Sequence, residues 1–196
     1  DFLVEIGLLE RILPEVATLD RSSRQAAFNR VPIASGDPLD RLAALLLDLG
    51  PMEAGGRVRA LRFSRRETAA VKGLVEIVDR VRSGPPEGGW SAEDVRRMAF
   101  NAGELLDRAL DLAVAIGVDT GGLVSVVGEL KGVGELEDLV PALDGGQVMA
   151  SLDLVGGPEV GEALAWLTDL RLREGRLSVE EAEMLLTDWW ESREGG

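Results

Sequence analysis

The sequence predicts an all-α fold, a compact array of short helices. Three observations predict it. Apolar residues recur at helical spacing along most of the chain, helix-start signals coincide with the onset of that spacing, and strand signals are scarce, with short β-branched runs and 4% aromatic residues. Leu3, Ile6, Leu9 and Leu13 share one face, and Pro14 ends that run. Asp37-Pro38 supplies an N-cap and a proline in the first turn, where a missing N–H loses no helical bond. Leu39, Leu42, Ala43, Leu46 and Leu49 follow as a stripe that Gly50-Pro51 is expected to stop. Ser64-Arg65-Arg66-Glu67 is a capping box, in which the Ser and Glu side chains each satisfy a free backbone N–H. The helix it opens turns Val71, Leu74, Val75, Val78 and Val81 inward.

Ser83-Gly84-Pro85-Pro86-Glu87-Gly88-Gly89 cannot continue a helix and marks a loop. Ser91 is expected to cap the next helix, with Val95 and Met98 inward. The stretch Asn101 to Ile116 should bury Leu105, Leu106, Leu110, Ala113 and Val114. Residues 119–134 fit helix or strand, because glycines at 121, 122, 128, 132 and 134 weaken both readings. Gly157-Pro158 starts a helix to about Arg173, with a tight turn that allows close helix approach at Gly161. Ser178-Val179-Glu180-Glu181 is a second capping box, leading to a last helix through Trp189. No repeat of 20–50 residues signals a solenoid.

A chain of 196 residues, 45% of them apolar, can bury one good-sized core or two small ones. No run of about 18 apolar residues predicts a membrane span. Asp1-Phe2-Leu3 lacks the basic start of a signal peptide, and an initial Asp in place of Met reads as a processed chain or a piece of a longer one. The absence of Cys excludes disulfides and is compatible with the cytoplasm. With no His either, Ser–His and Cys–His nucleophiles and His-ligated zinc are ruled out, leaving only carboxylate chemistry open. The net charge of −14 opposes binding a polyanion, but it is unevenly spread. Residues 51–100 hold ten Lys/Arg against seven Asp/Glu, whereas 101–150 hold two against nine and 151–196 four against eleven.

Five segments, in order, resemble one family. Ile6-Gly7-Leu8-Leu9-Glu10-Arg11-Ile12-Leu13-Pro14-Glu15 is similar to the stretch after the neck of bacterial tRNA nucleotidyltransferases and poly(A) polymerases. Asp37-Pro38-Leu39-Asp40-Arg41-Leu42-Ala43-Ala44-Leu45-Leu46 resembles a helix of their body, and Leu61-Arg62-Phe63-Ser64-Arg65-Arg66-Glu67 a turn of it. Leu143-Asp144-Gly145-Gly146-Gln147-Val148-Met149 and Gly156-Gly157-Pro158-Glu159-Val160-Gly161 resemble the tail. The resemblance places the chain after the catalytic head, whose GGxVRD turn and metal-holding DxD pair are not found here. Gly55-Gly56-Arg57-Val58-Arg59-Ala60 mimics the first of these, but Ala60 stands where the acid belongs, and the segment reads as a loop into a body helix. Many relatives carry phosphohydrolase histidines where Leu46-Leu47-Asp48-Leu49-Gly50 has Leu47.

By this resemblance residues 1–117 form a body-like RNA-binding domain, 118–134 a glycine-rich hinge and 135–196 a helical tail. The implied function is to grip tRNA or another RNA 3′ region for the head. That head would hold Mg²⁺ and ATP or CTP, while this chain needs no cofactor. Whether the parent adds CCA, part of it, or poly(A) is left open. The alternative is a headless helical scaffold or dimerisation module that binds no RNA.

Candidate RNA-binding residues follow. Arg57, Arg59, Arg62, Arg65 and Arg66 put five guanidinium groups within ten residues, a match for successive phosphates, or else a solvated, i,i+4-paired surface. Arg96 and Arg97 lie in Glu93-Asp94-Val95-Arg96-Arg97, which fits a base-reading EDxxR pattern but equally an acidic first turn with i,i+3 pairing. Gly156 and Gly157 precede a helix N-terminus whose free N–H groups suit a phosphate, with Glu159 opposing it. Glu104, Asp107 and Asp111 share a helix face and read as solvated rather than as a Mg²⁺ site. Trp166, Trp189 and Trp190 read as core or subunit contacts rather than base-stacking platforms.

Overall fold

A computed structural model describes residues 7–194; Leu3 and Ile6 of the first expected stripe lie outside them. Among the described residues every regular element is a helix, and none is long and apolar enough to cross a membrane. Two compact units divide the chain. The first takes in the described residues up to Gly89 together with Ala102–Val124, and the second Trp90–Asn101 together with the described residues from Ser125 onward.

In the first unit, α1 (Leu9–Ile12) and α2 (Pro14–Thr18) are separated at Leu13, since Pro14 starts a new helix rather than only ending one. α3 (Arg21–Arg30) is capped by Asp20, whose carboxylate accepts the Ser22 and Ser23 amides at 2.9 and 3.0 Å. α4 (Pro38–Leu46) is capped by Asp37, which accepts the Leu39 amide at 2.7 Å. After a 3-10 turn at Leu47–Leu49, Gly50-Pro51 opens α5 (Gly50–Ala60). The expected loop at 55–60 is therefore helix. Pro51 pre-sets the helical φ, and burial of Ala54 and Val58, four residues apart, outweighs the cost of Gly55 and Gly56, about 1 kcal/mol each.

α6 (Arg65–Arg82) begins at the predicted capping box: Ser64 Oγ accepts the Glu67 amide at 3.2 Å and Glu67 Oε2 accepts the Ser64 amide at 2.8 Å. Val71, Leu74, Val75, Val78 and Val81 are buried as the periodicity requires, and α6 packs on α4, α5 and α8 (Leu105–Ala115). The helix expected to run from Asn101 is broken at Gly103, whose φ is +52°. Val114 was expected inside but is 56% exposed. The buried stripe is Leu106, Ala109, Leu110, Leu112 and Ala113, and Val114 lies about 100° round the helix from its centre. Close approach falls at Gly73, where an added Cβ would sit 2.8 Å from Leu105 Cδ1.

The second unit contains α7 (Ala92–Ala102) up to Asn101, started by Ser91 and Asp94, which bond each other's backbone amides at 3.1 and 3.0 Å. Within residues 119–134 the regular element is a helix, α9 (Leu123–Gly132), which buries Leu123 and Val127, four apart. α10 (Gly145–Ser151), α11 (Pro158–Glu174) and α12 (Val179–Glu194) enclose a core of Leu143, Val148, Ala163, Leu167, Leu170, Ala182 and Leu186. Trp166 and Trp189 pack against that core and stack on each other, with centroids 4.8 Å apart at 14°. The close approach expected at Gly161 is absent, since an added Cβ there meets nothing within 4 Å.

Candidate functional site

The seven arginines among the nine residues expected to bind RNA separate into two groups by what their side chains already hold. Arg57 is committed to Glu15: Nε donates to Oε2 at 2.6 Å and Nη2 to Oε1. The hydrogen-bonded pair raises the Arg57 pKa and lowers that of Glu15. Arg96 is buried and donates to the last carbonyls of α11, to Leu172 O at 2.8 Å and to Arg173 O. A cation at the end of a helix meets the negative pole of its dipole there. Gly175, with φ +93°, leaves room for it, since an added Cβ would lie 3.3 Å from Arg96 Nη1. Arg97 joins α7 to α11, donating to Glu93 Oε1 at 2.8 Å and Asp169 Oδ1 at 2.7 Å, and the Asp169 bond is the main cause of its raised pKa.

Arg59, Arg62, Arg65 and Arg66 are different. All four are exposed, and none has a side-chain partner among the described residues. They stand at the turn from α5 to α6, whose geometry fixes them. Arg62 N–H donates to Arg59 O at 3.0 Å and Phe63 N–H to Val58 O at 3.4 Å, the bonds of a Schellman closure. The left-handed position in that closure favours glycine, but here it is Arg62, at φ +68°. Two residues later Ser64 caps α6, so Arg65 and Arg66 occupy its first turn.

Sequence reasoning missed Lys72, two turns after Arg65 along α6. Its stem lies over Gly55, where an added Cβ would be 3.4 Å from Lys72 Cβ. Lys72, Arg59 and Arg65 line one groove of about 710 Å³, together with Met52, Phe63 and Thr68, and no carboxylate lines it. The signal in sequence was spacing, since Arg65 and Lys72 are seven residues apart and so share a helix face.

Other arginines that sequence did not single out are structural. Arg30 and Arg82 share Asp48 at 2.6 and 3.1 Å, and Arg108 reaches buried Asp40 at 2.6 Å and Asp37 at 3.2 Å. Arg171, 4% exposed, donates to Glu135 Oε2 and Glu135 O, both at 2.8 Å, and to Asp138 O at 3.1 Å. Burial pushes the Glu135 carboxyl up, but the Arg176 amide, the Arg171 side chain and the charges of Arg171 and Arg96 bring it below its ordinary value.

Gly156 and Gly157 take φ of +112° and +124° and are exposed. Gly157 precedes α11 with no side-chain cap, Pro158 has no N–H to offer, and the Glu159 carboxylate folds back to within 2.7 Å of where a Gly157 Cβ would stand. The turn is thus explained by backbone conformation, and a carboxylate already sits beside it. Among the described residues no group of three or more acids could hold a metal ion, Glu104, Asp107 and Asp111 included.

The fold and its site define an all-helical module in which four exposed arginines without a side-chain partner among the described residues stand at one helix–turn–helix. Over 98% of its length the chain is similar to the CC-adding tRNA nucleotidyltransferase of Thermus thermophilus, 32% identical over 236 aligned residues. The match is consistent with a C-terminal region of a tRNA nucleotidyltransferase. The chain spans about half, 52%, of the length of the Thermus thermophilus protein. No family profile matches the chain, and no solved structure matches it.

Proposed function

We propose that this chain is the RNA-positioning part of a cytoplasmic tRNA nucleotidyltransferase, holding tRNA so that a separate catalytic head can extend its 3′ end. One observation carries the reading. In a chain of net charge −14, Arg59, Arg62, Arg65 and Arg66 are left without partners at one turn, while Arg57, Arg96 and Arg97 are committed to intramolecular bonds. Guanidinium groups presented this way contact phosphate oxygens, which fixes register and orientation without reading sequence. Such positioning contributes to catalysis by removing the entropy of bringing the RNA end to the reacting groups. Mg²⁺ and CTP or ATP belong, in this reading, to the head.

The test is tRNA binding by fluorescence anisotropy across a salt series. Replacing Arg62, Arg65 and Arg66 together by Ala should weaken binding and flatten the slope of log affinity against log salt by about two units, each neutralised phosphate contributing roughly 0.7–0.9. Helix content should persist, because Ser64 and Glu67 still cap α6. Replacing Arg97 by Ala should lower stability and leave the slope alone. An unchanged slope in the triple variant would favour a scaffold that binds no RNA.

A further inference from the structure

We infer that the groove between α5 and α6 seats one unstacked nucleotide of the bound RNA, its phosphate held by Arg59, Arg65 and Lys72 and its base laid on Phe63. The inference rests on the RNA-positioning reading and adds to it a defined subsite. Duplex backbone asks only for surface cations, and the turn already offers Arg62 and Arg66. The groove is built differently. Three cations converge on a concavity of about 710 Å³ with no carboxylate in its lining. That is a pronounced local excess of positive charge in a chain with 35 acidic and 21 basic side chains. The same lining holds exposed apolar side chains, Phe63 at 37% and Met52 at 75%. Thr68 Oγ1, in the same lining, is buried without a hydrogen-bond partner. A buried hydroxyl is normally satisfied, so this one is an unmet donor in the wall of the groove.

Charge with an aromatic face beside it is the combination that recognises a nucleotide out of its stack. The phosphate takes the cations, and the base takes the ring, whatever its identity. A fully paired helix keeps its bases stacked and would leave Phe63 and Met52 unused. An acidic peptide would satisfy the cations but not the ring.

The experiment measures binding of the full chain to a blunt-ended RNA hairpin, a single-stranded oligoribonucleotide with the same number of phosphates, and polyglutamate of matching charge. Phe63→Leu keeps apolar bulk at the turn and removes the flat ring. It should hold the melting temperature, weaken single-strand binding about tenfold, in line with the loss of one stacked base, and leave hairpin binding unchanged. Phe63→Trp should restore the loss. Lys72→Ala should flatten the single-strand salt slope by about 0.7. If Phe63→Leu binds the single strand as the parent does, while the triple-arginine variant still loses RNA, the subsite is overturned and the positioning surface survives. Failure to bind any RNA overturns both. Polyglutamate binding as tight as the single strand and indifferent to Phe63→Leu overturns the nucleotide in favour of an acidic protein partner.

Discussion

Arg62 occupies a left-handed position, φ +68°, that an L-residue adopts at a cost of about 1–2 kcal/mol. Its side chain is exposed and makes no hydrogen bond or ion pair among the described residues that would compensate. Arg62→Gly removes the Cβ penalty and adds the greater backbone freedom of unfolded glycine, about 0.5–1 kcal/mol in the other direction. The expected net effect is a gain of about 0.5–1 kcal/mol, or roughly 2 °C in melting temperature for a chain of this length. The same change deletes one phosphate contact, so the tRNA salt slope should fall by about 0.7–0.9. Arg62→Ala separates the two effects, because it loses the charge but keeps the Cβ. Thermal unfolding followed by circular dichroism, alongside anisotropy titrations, should place glycine above alanine in stability and equal to it in binding. If the glycine variant melts no higher than the alanine variant, the strain argument is wrong. If both bind tRNA with the parent's salt slope, Arg62 touches no phosphate.

Two further outcomes follow from the packing. Gly161→Ala should raise stability by about 1 kcal/mol, since its Cβ enters open space on a helix, whereas Gly73→Ala should gain clearly less because Leu105 Cδ1 must move from 2.8 Å; equal melting shifts would refute the close contact. Glu135→Gln removes the countercharge of Arg96 and Arg171 and should cost about 3 kcal/mol in urea unfolding. Because the folded Glu135 carboxyl titrates below the ordinary 4.5, its stabilisation is complete above that pH and is lost as pH falls through the depressed value. The variant should therefore show a shallower acid-side decline than the parent, and parallel profiles would count against the assignment.

The helices that sequence reveals most clearly are those whose start is written in short-range chemistry. Ser64 with Glu67, Ser178 with Glu181, and Asp37 before Pro38 each satisfy a backbone amide within three residues, so local order and global fold agree. α5 was hidden because Gly55 and Gly56 argue against a helix locally, and only burial against α6 decides for it. Candidate cations were visible as a cluster, but their fate was not. Arg57 finds Glu15 42 residues away, and Arg96 finds Leu172 76 residues away. Nothing in local spacing announces such partners. Arg171 is the clearest omission. It reads as one more charge on an acidic helix, yet it falls four residues after Leu167 and shares that buried face.

The second unit is not one continuous piece of chain. Trp90–Asn101 belongs to it, but residues from 102 to 124 do not. A truncation beginning at Ser125 would keep α10, α11 and α12 and lose α7. The Leu172 and Arg173 carbonyls would lose their Arg96 donor, and Asp169 would lose Arg97. Grafting this tail onto another protein therefore requires two cuts and a segment from the first half. During synthesis on the ribosome, Arg96 of α7 must wait until the chain has grown by 76 residues before the first carbonyl it holds has been made.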